Sequence, residues 1–153
     1  MKSEKDKLST ALSGISGEYF VAAELSRHGL IAAVTLRNTR GIDILASRPG
    51  GKKPATIQVK TLQRGNKHWL LSKNDERSKG KHHYYVFVTL HGRNGTPEYH
   101  VVEGNTVARK CAASHRKWLK GRKRDGGKRK DSSMRIFAPG ESFRDGWNRI
   151  RFD

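Results

Sequence analysis

Acidic residues and cysteine are the scarce components of this 153-residue chain. Only 14 Asp and Glu stand against 32 Lys and Arg, which gives a formal charge of +18. This excess favours a polyanionic partner, nucleic acid before an anionic membrane surface, and no amphipathic helix with a large apolar face supports a membrane. Cys111 is the single cysteine, so an intrachain disulfide is excluded and the residue is expected to fill a small place in the core.

Long hydrophobic runs are also missing. The charged start "MKSEKDKLST" is not followed by the apolar run of a secretory signal, and no stretch approaches the roughly 20 apolar residues of a membrane span. We therefore expect a cytoplasmic, non-secreted protein. Hydrophobic residues make up only 34% of the chain, yet they gather in short segments, and the length suits a single domain over residues 1–153.

The first half of the chain predicts one helix and three strands. Residues 12–28 have helical character, with Ser13 or Ser16 as the cap and Gly29 as the stop. Three β-like runs follow at residues 30–36, 41–47 and 55–62, and the Pro and Gly residues between the last two predict a turn. We expect an antiparallel meander.

The second half predicts a buried strand, a partner strand and a helix. Residues 84–90, "YYVFVTL", are typical of a sheet centre, and residues 98–103 are expected to pair with them. Before them, residues 68–72 suggest a short strand and residues 73–82 an exposed loop or irregular helix. A helix over 105–120 would carry Val107, Cys111, Ser114 and Trp118 on one face. A basic mobile loop at about 121–133 follows, and Phe143, Trp147 and Ile150 have the spacing to dock a last turn.

Three polar side chains are predicted to share one patch of this sheet. In the strand 41–47, alternation sends Ile44 and Ala46 to one face and Asp43 to the other. In the strand 55–62 it places Gln58 and Lys60 together. If the apolar faces of the two strands pack side by side, the polar side chains meet on the remaining face.

Glu18 adds a carboxylate within an apolar stripe of the first helix. Either its head reaches water at the edge of the stripe, or the helix presents it toward the same patch as Asp43. One carboxylate, a second oxygen ligand and a lysine suit metal-dependent attack on phosphate. Mg²⁺ takes a few hard oxygen ligands and acidifies a bound water, and a lysine can offset the charge that develops on the phosphate.

Together, Glu18 in an N-terminal helix, "GID" ending in Asp43, and "IQVK" with Gln58 and Lys60 resemble the PD-(D/E)XK nuclease superfamily. The likeness is to its small members, similar to Holliday-junction resolvases. It implies an α/β fold of restriction-endonuclease-like αβββαβ architecture, with a central mixed sheet flanked by helices. It also implies a Mg²⁺- or Mn²⁺-dependent endonuclease acting on DNA, including branched or otherwise structured DNA.

The resemblance assigns each residue a role. Asp43 would bind the metal, Lys60 would be the catalytic lysine, Glu18 the helix acid, and Gln58 would occupy the second acidic position. Gln58 is a departure, because a neutral amide oxygen holds a cation less strongly than a carboxylate. With Asp43, Glu18 and the main-chain carbonyl of Val59, a metal site stays possible.

Basic residues outside the motif are candidates for phosphate contacts, which supply most of the affinity that does not depend on sequence. They are Arg37, Arg40, Lys52, Lys53, Lys67, Lys73, Arg116, Lys117, Lys120, Arg122, Lys123 and Arg124. Trp69 could stack on a base, although its apolar neighbours favour the core.

Two other functions remain open. The chain could be a nucleic-acid-binding protein on the same fold that has lost catalysis, with Gln58 as the trace of that loss, or a small basic RNA-binding protein whose likeness is chance. DNA is favoured over RNA as the partner. A homodimer is possible, because the apolar C-terminus could serve an interface or simply cap the core.

Overall fold

The computed structural model describes residues 7–36, 40–63 and 67–152. Its elements, in chain order, are α1 Thr10–Arg27, β1 Ile31–Val34, β2 Ile44–Ser47, β3 Ala55–Gln63, β4 Trp69–Ser72, a 3-10 helix Lys73–Glu76, β5 His83–Leu90, β6 Glu98–Glu103, α2 Gly104–Lys120, β7 Met134–Phe137 and two more 3-10 helices, Glu141–Phe143 and Trp147–Arg149. The α/β class is therefore confirmed.

The main sheet has five strands in the order β1-β2-β3-β5-β6. The pairings are antiparallel except for β3 with β5, which run parallel. The predicted meander of β1, β2 and β3 is thus confirmed. Strand β5 is an interior strand beside β3, which is the middle one, and every β5 side chain except Thr89 is buried. Strands β4 and β7 form a separate antiparallel pair. The connection from β3 to β5 contains β4 and a 3-10 helix rather than a long helix, and α2 follows β6.

Helix α1 covers one face of the sheet, called here the α1 face. Its Val21 and Leu25 belong to an apolar cluster with Ile44 and Ile57, all of them fully buried. Gly17 lies against Thr61 so closely that a Cβ would overlap the threonine side chain, which requires glycine at this crossing. The helix and the meander are therefore in direct contact near the end of β3.

The ends of α1 differ in how well the sequence predicted them. Its N-cap is Ser9, whose hydroxyl accepts a hydrogen bond from the Leu12 N–H at 3.2 Å, so Ser13 and Ser16 were the wrong candidates. The stop is confirmed, because Gly29 follows the C-cap with φ +79°.

The opposite face, called here the α2 face, is covered by the first half of α2 and by the β4–β7 pair. Val107 and Cys111 of α2 pack there. The aromatic members of this cluster are Trp69, Tyr85, Phe87, Phe137 and Phe143. Trp69 is 5% exposed and belongs to the core, so the prediction that it could stack on a base is wrong. Burial raises the pKa of the Cys111 thiol to about 11, which makes it a poor nucleophile.

The last part of the chain docks as expected, because Phe143, Trp147 and Ile150 are all buried. The predicted apolar face of α2 is only half right. Val107 and Cys111 are buried, but Ser114 is exposed and Trp118 is 43% exposed, since only the first half of the helix lies over the sheet. In the part of the chain that the structure describes, no helix has the length and apolar character needed to cross a membrane.

Candidate active site

Asp43 stands where β2 and β3 begin to separate. The strand pairing ends at Ile44 opposite Ile57, and the Asp43 N–H donates to the Ile57 carbonyl at 2.8 Å. Its carboxylate Oδ2 then accepts the Val59 N–H at 2.7 Å, in place of a main-chain acceptor. The Asp43 carbonyl accepts the Thr35 N–H of the neighbouring chain segment at 2.9 Å. The carboxylate is thus fixed beside β3.

The environment of Asp43 favours an added positive charge. Burial raises the pKa of its carboxyl above the usual value, although the Val59 N–H and the Lys60 ammonium act in the opposite direction. The negative charge of the ionised Asp43 carboxylate is therefore not fully balanced by the Val59 N–H and the Lys60 ammonium. A cation at the carboxylate would supply the missing compensation.

Gln58 lies next to Asp43 on the α2 face, as alternation predicted. Its Oε1 atom is buried and has no hydrogen-bond partner in the described part of the chain. An unsatisfied buried acceptor costs about 1–3 kcal/mol, so a hard-oxygen ligand site is a physical reason for it to be there. A Cβ on Gly41 would lie 3.9 Å from this oxygen and 3.6 Å from Lys79 Nζ, which places a second lysine beside the site.

Lys60 is on the same face of β3, two residues beyond Gln58. Its positive charge lowers the pKa of two carboxyls, those of Asp43 and Asp75, and therefore lies near both. Its main-chain carbonyl accepts the Trp69 Nε1–H at 3.1 Å. The lysine therefore lies on β3 within electrostatic reach of both the Asp43 and the Asp75 carboxyls.

Asp75 is the principal site residue that sequence reasoning missed. Residues 73–82 were expected to form an exposed loop or an irregular helix, and the 3-10 helix Lys73–Glu76 agrees with the second alternative, but nothing in the prediction buried Asp75. It is 5% exposed and accepts hydrogen bonds from the Tyr85 hydroxyl at 2.6 Å and from the Ser72 N–H at 2.7 Å. Burial by itself raises its pKa, but these bonds and the Lys60 charge outweigh burial and leave the pKa below its usual value. The capping pattern Ser72-x-x-Asp75 was the available signal.

The 3-10 helix that carries Asp75 is tied to the β4–β7 pair. Its Glu76 forms an ion pair with Arg135 of β7, whose side chain is 2% exposed. This buried pair fixes the helix, and with it the carboxylate near Lys60.

His83 is the second missed residue. It lies on β5 opposite Thr56, with Nδ1 2.8 Å from the threonine hydroxyl, and its ring meets Tyr85 edge-on at 5.3 Å. Burial, followed by the Lys79 charge, lowers its pKa to about 4, so it is neutral near pH 7. Its Nε2 atom is buried without a hydrogen-bond partner among the described residues. The parallel register of β3 and β5 brings it to the site, and the sequence alone does not reveal that register.

Glu18 lies on α1, which covers the α1 face, whereas Gln58 and Lys60 belong to the α2 face. Its side chain is half-buried, and it follows the glycine that packs against Thr61. Helix α1 thus packs on the sheet, whereas the presentation of Glu18 toward the same patch as Asp43 stays a prediction.

The donor set decides what kind of cation the site could hold. Over residues 7–36, 40–63 and 67–152, no three His, Cys, Asp or Glu side chains form a group that could hold a metal ion. Asp43 supplies one anionic oxygen, and Gln58 Oε1 and the Val59 carbonyl are neutral oxygens. Such a sparse oxygen set suits Mg²⁺, which keeps several waters, better than a metal that needs a full protein cage.

The proposed phosphate-binding residues fall into two groups. Arg37 lies outside the described residues. Near the site or at the ends of its strands are Arg40, Lys52, Lys53, Lys67 and Lys73, all exposed. On α2 and the turn after it are Arg116, Lys117, Lys120, Arg122, Lys123 and Arg124, also all exposed.

These basic residues lie at different distances along the chain from Asp43. Lys52 and Lys53 lie in the turn at the far end of the β2–β3 hairpin from Asp43, whereas Arg40 precedes Gly41 directly. The basic segment after α2 contains a turn in which the Lys123 N–H donates to the Gly127 carbonyl at 2.9 Å. A mobile loop over 121–133 stays a prediction.

No protein-family model matches this chain, and a search of curated proteins found no match.

Proposed function

We propose that this protein is a metal-dependent endonuclease that hydrolyses phosphodiester bonds in DNA. One observation carries the proposal: the Asp43 carboxylate, the buried and unpaired Gln58 Oε1 and Lys60 occur together where β2 leaves β3. The formal charge of +18 supports a nucleic-acid substrate. DNA is proposed over RNA, and branched DNA belongs among the substrates to be tested.

The proposal includes a restriction-endonuclease-like core of the PD-(D/E)XK kind. A helix followed by an antiparallel three-stranded meander and then a parallel neighbour of its last strand supports the αβββ part of αβββαβ architecture and its final parallel strand. In this chain the parallel connection would use β4 and the 3-10 helix in place of the usual crossover helix.

Mg²⁺ or Mn²⁺ would be held by Asp43, Gln58 and the Val59 carbonyl, with Glu18 as the acid from the helix side. When bound, such an ion polarises a phosphate oxygen and lowers the pKa of a coordinated water. Lys60 offsets negative charge that develops on the phosphate in the transition state. Asp75, itself held by Tyr85 and Ser72, keeps the lysine in place. The exposed lysines and arginines bind the flanking phosphates.

The test is cleavage of supercoiled plasmid, four-way junctions and single-stranded DNA with millimolar Mg²⁺ or Mn²⁺. Asp43→Asn and Lys60→Met should each lower the rate by about 100-fold or more. Lys81→Met is the matched control, because it removes the same charge from an exposed lysine that lines a separate cavity with Arg149 and Arg151. Cleavage that survives in both site variants would contradict the proposal.

A second candidate is a nucleic-acid-binding protein that does not cleave. The neutral Gln58 and the absence, among the described residues, of three grouped metal-ligating side chains favour it. It predicts that the parent chain binds DNA but leaves every substrate intact with either metal, and that Asp43→Asn binds DNA as well as the parent does.

A further inference from the structure

A small cavity lies between the second half of α2 and strand β7, and no residue that lines it belongs to the candidate active site. Its volume is about 230 Å³. That is well above the roughly 30 Å³ that one water takes up and just below the usual range of about 300–1,000 Å³ for drug-sized ligands. The cavity is lined by Ser114, His115, Trp118, Ser132, Met134 and Ile136.

The walls of this cavity are apolar and open to solvent. Trp118 is 43% exposed, whereas Trp69 and Trp147 are 5% and 7% exposed. Met134 and Ile136 are each about half exposed, on the outer side of β7. An indole, a thioether and a branched aliphatic group that face water together are typical of a binding surface.

The Trp118 ring is held in place from two directions. The Arg129 guanidinium carbon lies 5.0 Å from the indole centroid, and its Nη1 donates to the Trp118 carbonyl at 2.8 Å. The His115 ring stacks on the indole at 5.5 Å between centroids with planes 22° apart. His115 Nε2 in turn lies 2.7 Å from an Asp131 carboxylate oxygen. The ring is therefore ordered before a ligand arrives, which lowers the entropic cost of binding.

Charge around the cavity identifies the chemistry of its occupant. Eight exposed lysines and arginines lie between residues 116 and 130, with Asp125 as the single acid there. A flat apolar ring attached to a polyanionic backbone matches an aromatic cavity beside such a segment. The Ser114 and Ser132 hydroxyls at the wall can hydrogen-bond to the polar edge of that ring. Bases in a duplex are stacked on each other, so the base must be unpaired.

We infer that this cavity binds an unpaired nucleobase of single-stranded DNA whose phosphates follow the basic segment 116–130. The inference rests on the proposed function only in taking nucleic acid as the partner. It requires neither cleavage nor a metal.

The test uses the fluorescence of the full-length protein, titrated in EDTA with a single-stranded oligonucleotide. Trp118 is the exposed tryptophan, so binding of a base should quench the emission, and Trp118→Phe should remove most of that quenching. An oligonucleotide of equal length with abasic positions should bind without comparable quenching, because it keeps the phosphates and lacks the rings.

Affinity gives the second measurement. Trp118→Ala should weaken binding of the intact oligonucleotide by about tenfold and leave binding of the abasic one unchanged. Lys120→Met is the control, because it should weaken both to the same extent and reduce the salt dependence of binding. Circular dichroism checks that each variant is folded.

Each outcome decides the inference. Equal affinity of the parent for intact and abasic strands, or an unaffected Trp118→Ala variant, would overturn it while leaving the proposed nuclease intact. Absence of binding to both strands would overturn it together with the nucleic-acid partner. Base-dependent quenching in EDTA, together with no cleavage in the separate assay with Mg²⁺ or Mn²⁺, would support the cavity and count against the nuclease alone.

Discussion

The two faces of the main sheet differ in what they bury, although the same strands supply both. The α1 face is filled mainly with aliphatic side chains such as Val21, Ile44 and Ile57, although Tyr84, Tyr99 and Trp147 belong to the same cluster. The α2 face is aromatic, and the ionisable side chains that are buried among the described residues, apart from tyrosines and Cys111, all lie on its side: Asp75, His83, His100 and Arg135. Buried ionisable groups reduce stability unless they are paired, so a face that collects them serves a purpose beyond holding the fold.

Lowering the pH should reduce the stability of the α2 face through protonation of His83, which is the largest effect expected. The pKa of His83 is about 4 in the folded protein, against 6.5 for an unperturbed histidine. Between these values the unfolded chain binds more protons, so stability falls as the pH is lowered from about 6.5 to 4. The difference corresponds to roughly 3 kcal/mol at pH 4. Urea unfolding from pH 7 to 4 measures it.

His83→Gln should remove this part of the acid sensitivity, whereas His68→Gln, at an exposed position, should keep it. The raised pKa of Asp43 acts with the opposite sign, because there the folded state binds more protons. The difference between the parent and His83→Gln isolates the histidine. An identical pH dependence in these two proteins would show that the buried ring does not limit stability in acid.

Asp75→Asn is the next largest change expected on the α2 face. An amide cannot replace the charge beside Lys60, and its NH₂ group cannot accept the bond from Tyr85 or Ser72, so we expect a loss of about 2 kcal/mol. In the proposed nuclease the cleavage rate should also fall, because the lysine loses its positioning partner.

Ser72→Ala is the matched variant for Asp75→Asn. It removes one hydrogen bond to the same carboxylate and keeps the charge, so it should lower stability with a smaller effect on the rate. Equal effects of the two variants on the rate would contradict a positioning role for Asp75. The cleavage rate is best followed as a function of pH, because a purely structural role of Asp75 would leave the shape of the pH profile unchanged.

Gln58→Glu is the smallest change expected and the one that bears most directly on the metal. A second carboxylate beside Asp43 should tighten Mn²⁺ binding about tenfold, because hard cations prefer anionic oxygens. Calorimetric titration with Mn²⁺ measures the affinity, with Gln63→Glu further along β3 as the control. Gln63 bonds to Leu8 at the start of α1 and lies away from Asp43. Equal Mn²⁺ affinity of Gln58→Glu and the parent would argue against the site.

Prediction from the sequence was most successful where the hydrophobic pattern of a single strand was clear. Alternation correctly placed Gln58 and Lys60 on the face of β3 opposite Ile57, and the unbroken apolar run identified β5. It failed for Asp75 and His83, because both reach the site through the parallel register of β3 and β5 and through the connection between them. Those are long-range features that no local pattern encodes. Trp118 was misplaced for a related reason, since helical spacing does not reveal where the sheet beneath a helix ends.

The parallel pairing of β3 and β5 also bears on when the site exists during folding. Gln58 is opposite Tyr85 and Lys60 is opposite Phe87, so side chains 27 residues apart along the chain have to meet before Asp75 can reach the lysine. Contacts of such sequence separation form slowly, because loop closure comes before any stabilising contact. A newly made or partly unfolded chain carries the full basic charge, yet it lacks the assembled cluster. In the proposed nuclease, cleavage would therefore be confined to molecules that have completed the sheet.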